Sequence, residues 1–160
     1  MNNYYIRCKP VESDVQRVKE ILENSHFFNE EEIKIGVSLV KERLNNFNTS
    51  SYKFIFIENE DGVVGYSCYG FIDGTKASYD LYWIAVDQKY KRSGYGSILL
   101  STTENFIQNK GGKNIYIETS STDLYLPTRK FYEKANYKLE AEIKDFYDID
   151  DNKLIYSKNI

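Results

Sequence analysis

Between Val86 and Leu100 the chain carries residues suited to holding an anion: Lys89, Lys91 and Arg92 stand beside Ser93-Gly94-Tyr95-Gly96-Ser97. Two glycines at alternate positions let backbone approach a ligand closely, and the N–H groups opening the next helix point at any negative group placed there. A phosphate is the natural guest. The three cations add full charge beside those dipoles, as a pyrophosphate and a ribose phosphate require. A Gly-x-Gly before a helix also fits a plain tight turn. Two other phosphate loops are excluded, because the third glycine of a dinucleotide fingerprint would fall on Leu99 and the closing Gly-Lys-Ser/Thr of a P-loop is absent.

Other chemistry-bearing residues give weaker patterns. Cys8 and Cys68 are far apart in apolar, strand-like stretches, without redox or zinc spacing, and read as buried reduced thiols. Asp148-Ile149-Asp150-Asp151-Asn152 begins like a calcium loop, but Lys153 takes the turn position that needs glycine and Asn159 the place of the bidentate glutamate. A solvated turn is expected there, and no metal site. His26, the sole histidine, precedes Phe27-Phe28 and has no identifiable partner.

The elements that must position the loop follow from periodicity. Tyr4, Ile6 and Cys8 alternate with polar neighbours as a short strand. Ser13-Asp14-Val15-Gln16 has capping-box spacing for a first helix with Val15, Val18 and Leu22 on one face, and Asn29 caps a second that opens with Glu30, Glu31 and Glu32. Strands are predicted over 52–57 and 63–71, joined by Glu60-Asp61-Gly62, and over 78–86 after Asp73-Gly74. Helical spacing returns from Gly96 to Gly111-Gly112. The next strand, 115–119, must lie parallel to the one before that helix, which makes a βαβ unit. Pro127 starts a short helix through Ala135, and strands over 137–146, with Leu139, Ala141 and Ile143 on one side, and 154–158 complete the order.

Bulk properties bound the partners. The 160 residues are 41% hydrophobic and 28% charged, the range of one ordinary globular domain. A net charge of −3 and a pI near 5.3 give no overall attraction to nucleic acid or anionic membrane, so an anion must be held locally. The many tyrosines are spread over strands instead of forming basic stacking platforms. No membrane span or secretory leader is read, which places the chain in the cytoplasm.

Two segments carry a resemblance. Lys91-x-x-Gly94-x-Gly96 resembles the acetyl-CoA pyrophosphate signature of the GNAT acetyltransferases, with Lys91 at its Gln/Arg position. Thr128 to Tyr137 is similar to that family's helix ending in Phe-Tyr-Glu-Lys-x-Gly-Phe, with Asn136 for the glycine, Tyr137 for the phenylalanine and Tyr125 where an asparagine often contacts pantetheine. The resemblance spans nearly the whole chain. It implies an α/β fold with a mixed, mostly antiparallel sheet of about seven strands, a splayed parallel pair and helices on both faces, in one N-acetyltransferase domain over 1–160.

It further implies acetyl-CoA as co-substrate, held by the backbone of Ile84, Ala85 and Val86 and by Lys91, Arg92, Ser93, Gly94, Tyr95, Gly96 and Ser97. Tyr132 matches the tyrosine that protonates the departing thiolate, as a phenol of pKa near 10 can do. Asp80, fourteen residues before Gly94, matches the position of a glutamate base, and Glu118 is the competing carboxylate. Each also reads as a packing tyrosine or a paired carboxylate. The acceptor is an amine on a small molecule or a protein, with His26 and the acidic turn at 148–152 as candidate contacts. An exposed terminal strand is compatible with a homodimer. The competing function is a non-catalytic CoA-binding or regulatory module of the same fold, followed by a nucleotide-binding module.

Overall fold

A computed structural model describes residues 3–160. The order is β1 (Tyr5–Arg7), α1 (Ser13–Asn24), α2 (Glu30–Asn45), β2 (Lys53–Asn59), β3 (Gly62–Phe71), β4 (Ser78–Val86), α3 (Tyr95–Asn109), β5 (Asn114–Ser120), α4 (Leu126–Lys134), β6 (Lys138–Asp148) and β7 (Asp151–Asn159). The seven strands follow the order β1-β2-β3-β4-β5-β7-β6, with β4 and β5 parallel. This is the α/β arrangement expected from sequence. No helix among the described residues is long and apolar enough to cross a membrane. Contacts divide the chain into two compact units, one running up to Gly70 and including Trp83–Asn105, the other formed by Phe71–Tyr82 and Phe106–Ile160.

In the first unit, β1, β2 and β3 form an antiparallel sheet. Register pairs Phe54 with Cys68 and Phe56 with Tyr66, so these four residues share a face. That face packs with Val18, Ile21 and Leu22 of α1 and Val40 of α2, all fully buried. Alternation sends Ile55, Ile57, Gly65 and Ser67 to the other face, where α3 lies: the Ser67 and Thr103 hydroxyls are 2.8 Å apart. Helices therefore cover both faces, as period-two strands with two apolar sides require.

The two helix starts differ. Asn29 and Glu32 form the predicted reciprocal capping box of α2. At α1 the expected box is not made, since Glu12 is the N-cap and no side chain caps the helix. Asp14 acts instead from inside the first turn, accepting from the Val11 N–H at 2.7 Å and from both terminal nitrogens of Arg7 at 2.8 Å. A buried carboxylate near a helix N-terminus satisfies the dipole as a cap would, and the bidentate Arg7 fork compensates its desolvation. Cys68 is buried as read, whereas Cys8, just past the end of β1, is half-buried.

In the second unit, β5 pairs with β7 and β7 with β6, both antiparallel. Leu139 lies opposite Tyr156, but Ala141 lies opposite Ile155 and Ile143 opposite Lys153. The extra residue at this bulge puts Leu139 on one face and Ala141 and Ile143 on the other, which corrects the expectation that all three share a side. All of β6 is exposed.

Close backbone approach sets one sequence requirement. A Cβ built on Gly65 would lie 2.8 Å from the Ala85 carbonyl oxygen, which belongs to β4 and cannot give way like a flexible side chain. Gly65→Ala is expected to destabilise the protein by about 1–3 kcal/mol, visible as a lower urea midpoint with an unchanged slope.

Candidate functional site

The anion loop lies within the first unit. Asp87 follows β4 and caps the short 3-10 turn Gln88–Tyr90, its carboxylate accepting from the Lys89 N–H at 2.9 Å. The chain then reaches Arg92 at φ 62° and Gly94 at φ 86°, and α3 begins at Tyr95. Left-handed residues before a helix start gather successive N–H groups into an anion nest, and the first turn of α3 adds N–H groups that have no intrahelical acceptor. Gly94 is needed for its φ and not for space, since an added Cβ would meet nothing within 4 Å. Arg92 adopts the same region with a side chain, at a cost of roughly 1 kcal/mol.

The charges around the loop are not equivalent. Lys89 faces Asp61 of the β2–β3 turn at 3.4 Å, and the Tyr90 hydroxyl donates to the same carboxylate. Lys91 and Arg92 are exposed and enter no ion pair among the described residues. Tyr95 is buried, with its hydroxyl 3.3 Å from Asn59 and its ring edge-on to Tyr90, so only its backbone faces ligand chemistry. Ala85 is buried, and Ile84 and Val86 are half-buried.

The carboxylates lie in the second unit. The β4/β5 ladder has three pairs, the last joining Asp80 to Tyr116, although both strands continue. In register, Asp80, Tyr116, Glu118, Ile155 and Lys153 share one face. Lys153 Nζ meets Glu118 at 2.7 Å and lies 3.7 Å from the Phe146 ring centre. Glu118 is thus committed to an ion pair, whereas Asp80 forms none among the described residues. Burial pushes the Asp80 carboxyl above its ordinary range, the charge of Glu118 adds to the rise, and Lys153 offsets part of it.

Tyr132 belongs to the opposite face. Its ring is 6.5 Å from that of Tyr156, which lies opposite Ile117 and therefore on the side away from Glu118. Tyr137, at 5.9 Å, completes the packing, and burial raises the phenol pKa, so the hydroxyl keeps its proton at any physiological pH. Helix α4 is tied to the end of β5 by Arg129, which donates to the Ser120 and Thr122 carbonyls at 3.0 and 2.7 Å.

The 148–152 segment forms a hairpin turn, with Asp150 at φ 61° and Asp151 accepting from the Ser120 hydroxyl. His26 is exposed at φ 53° in the bend between α1 and α2. Sequence reasoning missed Lys153, Arg17 and the role of Asp87. Arg17 of α1 donates to Asp87 at 2.7 Å and to the Val63 carbonyl at 2.8 Å, with no local pattern to announce it. Burial raises the Asp87 carboxyl, but the Lys89 N–H and Arg17 outweigh it and hold it below the usual carboxylate range.

The chain belongs to the Acetyltransferase (GNAT) family, whose sequence model matches residues 15–137. The crystal structure of a GNAT-family protein from Desulfovibrio desulfuricans is similar to it with a TM-score of 0.93 and 36% identity, covering 98% of this chain and 99% of that one. The ribosomal-protein-S18-alanine N-acetyltransferase of Escherichia coli shares the fold at 17% identity and a TM-score of 0.76, covering 99% and 94%. The PaiA N-acetyltransferase of Thermoplasma acidophilum, crystallised with coenzyme A, does so at 17% and 0.76, covering 99% of both chains. No curated protein matches the sequence.

Replacing Gly94 by valine forces a β-branched residue to φ 86°. Calorimetric titration is expected to show CoA binding at least about tenfold weaker in the folded variant, as loss of a preorganised backbone site requires.

Proposed function

We propose that the protein is an N-acetyltransferase that moves an acetyl group from acetyl-CoA to a primary amine by direct attack, as one catalytic domain over 1–160. The observation that carries this reading is the left-handed Arg92–Gly94 turn opening α3 in a chain of the GNAT family. The turn suits a pyrophosphate. Lys91 and Arg92 would supply charge, and the backbone of Ile84, Ala85 and Val86 would hold the pantetheine arm and, near Ile84, the oxyanion of the tetrahedral intermediate. In other acyl transfers one such donor contributes about 3–4 kcal/mol.

In this reading Asp80 receives a proton from the acceptor ammonium, directly or through water, because only the free amine has a lone pair. The amine nitrogen then bonds to the thioester carbon, the tetrahedral intermediate gives up its surplus N–H proton to water as the C–S bond breaks, Tyr132 protonates the departing thiolate, and the phenolate takes a proton back from solvent. Asp80 is preferred to Glu118 because Lys153 already neutralises the latter. An acceptor panel of aminoglycosides, polyamines, amino acids and peptide amines, read by thiol release and a mass gain of one acetyl group, tests the activity; no turnover with any amine, despite tight CoA binding, would leave a binding module.

Asp80→Asn should lower kcat/KM by about 10²-fold near neutrality, with the deficit shrinking as alkali deprotonates the amine directly. Its stability should move the other way. Since folding raises the Asp80 pKa, its contribution is complete below the unfolded value near 3.9 and is lost as pH rises through the folded value. The variant should therefore melt higher than the parent at pH 7 and no differently near pH 3. Equal pH–rate profiles for the two proteins would count against Asp80 as base.

Tyr132→Phe keeps the ring packed against Tyr137 and Tyr156, so CoA affinity should hold while kcat falls by about 10²-fold. A donor with a more acidic thiol should recover much of that loss in single-turnover measurements. Wild-type single-turnover rates with acetyl-CoA would make Tyr132 a packing residue.

A further inference from the structure

The exposed stretch from Gln88 to Gly94 has little packing to fix its shape apart from the half-buried Tyr90. Its conformation is nonetheless demanding, because Arg92 sits at φ 62°, a region that is costly for a residue with a side chain. Support enters at the base of the loop. The Asp87 N–H donates to the Val64 carbonyl at 2.8 Å, and the Asp87 carboxylate caps the turn through the Lys89 N–H at 2.9 Å. The carboxylate's other oxygen is 2.7 Å from Arg17 Nη2, while Arg17 Nε is fixed on the Val63 carbonyl at 2.8 Å. The Asp87 side chain is only 8% exposed and that of Arg17 27%.

We propose that Arg17 is a positioning residue for coenzyme A: held on β3, it locks Asp87 and thereby presets the phosphate-binding turn. This rests on the reading of that turn as the CoA site. Arg17 itself makes no ligand contact in the proposal. Its guanidinium is spent on Val63 and Asp87 and additionally meets Glu20 at 3.3 Å. Removing it strips a buried carboxylate of its ion pair, leaving only the Asn24 amide and the Lys89 N–H to hold it, and Asp87 then relaxes toward water, carrying the Lys89 cap with it. The turn must afterwards be ordered by the ligand, so the loss appears as affinity.

Calorimetric titration with CoA is the test, applied to the full chain and to Arg17→Met, Arg17→Lys, Asp87→Asn and the Arg17→Met/Asp87→Asn double variant. Hydrogen exchange of the unliganded proteins accompanies it. Arg17→Met is expected to weaken CoA about tenfold and to speed amide exchange in the 88–94 segment, with exchange in β5 and β7 unchanged. Arg17→Lys should recover part of the affinity, and the double variant should bind no worse than the weaker single one, because both act through one contact. Additive losses would mean that Arg17 touches the ligand directly, and would overturn the proposal. Unchanged affinity in folded Arg17→Met, or faster exchange across the whole chain, would do the same. Should Arg17→Met fail to fold, Asp87→Asn, which keeps the cap and loses the charge, decides by the same two readouts. Gly94→Val serves as control: if it too binds CoA normally, the site assignment has failed, whereas weakened binding there with normal binding in the Arg17 variants rejects this inference alone.

Discussion

A parallel pair of strands that stops pairing after three residues is the constraint on which the rest depends. Backbone N–H and C=O groups are seldom left without partners, so strands that run side by side normally zip to their ends. Here β4 and β5 pair only as far as Asp80 and Tyr116, and β5 takes its continuous ladder from β7 instead. The strand carrying Asp80 is thereby released from β5 before it reaches Leu81. A half-buried carboxylate at the last pair is costly in an ordinary sheet, and a raised pKa is the sign of that cost. Sheet geometry and acid–base chemistry are the same problem at this residue.

Much of this was legible from local pattern. Strand and helix periods and the Asp61-Gly62 and Gly74 turns depend on neighbours within a few residues, and each lies within a residue or two of its expected place except β7, which starts at Asp151 instead of Leu154. The glycine-rich loop was legible for the same reason, since its demand on φ is written in Gly94 itself. Where a residue had two local options, pattern alone chose wrongly. Ser13 has the spacing of a cap, but Arg7, on a different element, drew Asp14 into that work.

The missing parts are long-range. Arg17 and Asp87 are seventy positions apart, and Lys153 reaches Glu118 only through the register of β5 on β7. Neither partner carries a signal in its own neighbourhood. A lysine in a terminal strand looks like any surface cation until the strand's register is known. The same holds for Leu139, whose face is set by one inserted residue that no periodicity count could place. Capping, turn chemistry and periodicity are therefore readable from one chain, while ion pairs and bulges are properties of the assembled sheet.

The bulges of β6 have a further consequence. An eleven-residue edge strand carrying Leu139, Ile143 and Phe146 in the open would, if flat, template the addition of other chains. Two breaks in its register, between Leu139 and Ala141 and again between Ile143 and Asp148, prevent a long regular row of donors and acceptors. Lys138, Glu140, Glu142 and Lys144 intersperse charge among the apolar positions. The irregularity that confounds the sequence pattern thus serves as colloidal protection, and a deletion that straightened this edge would favour fibrous association over the soluble state.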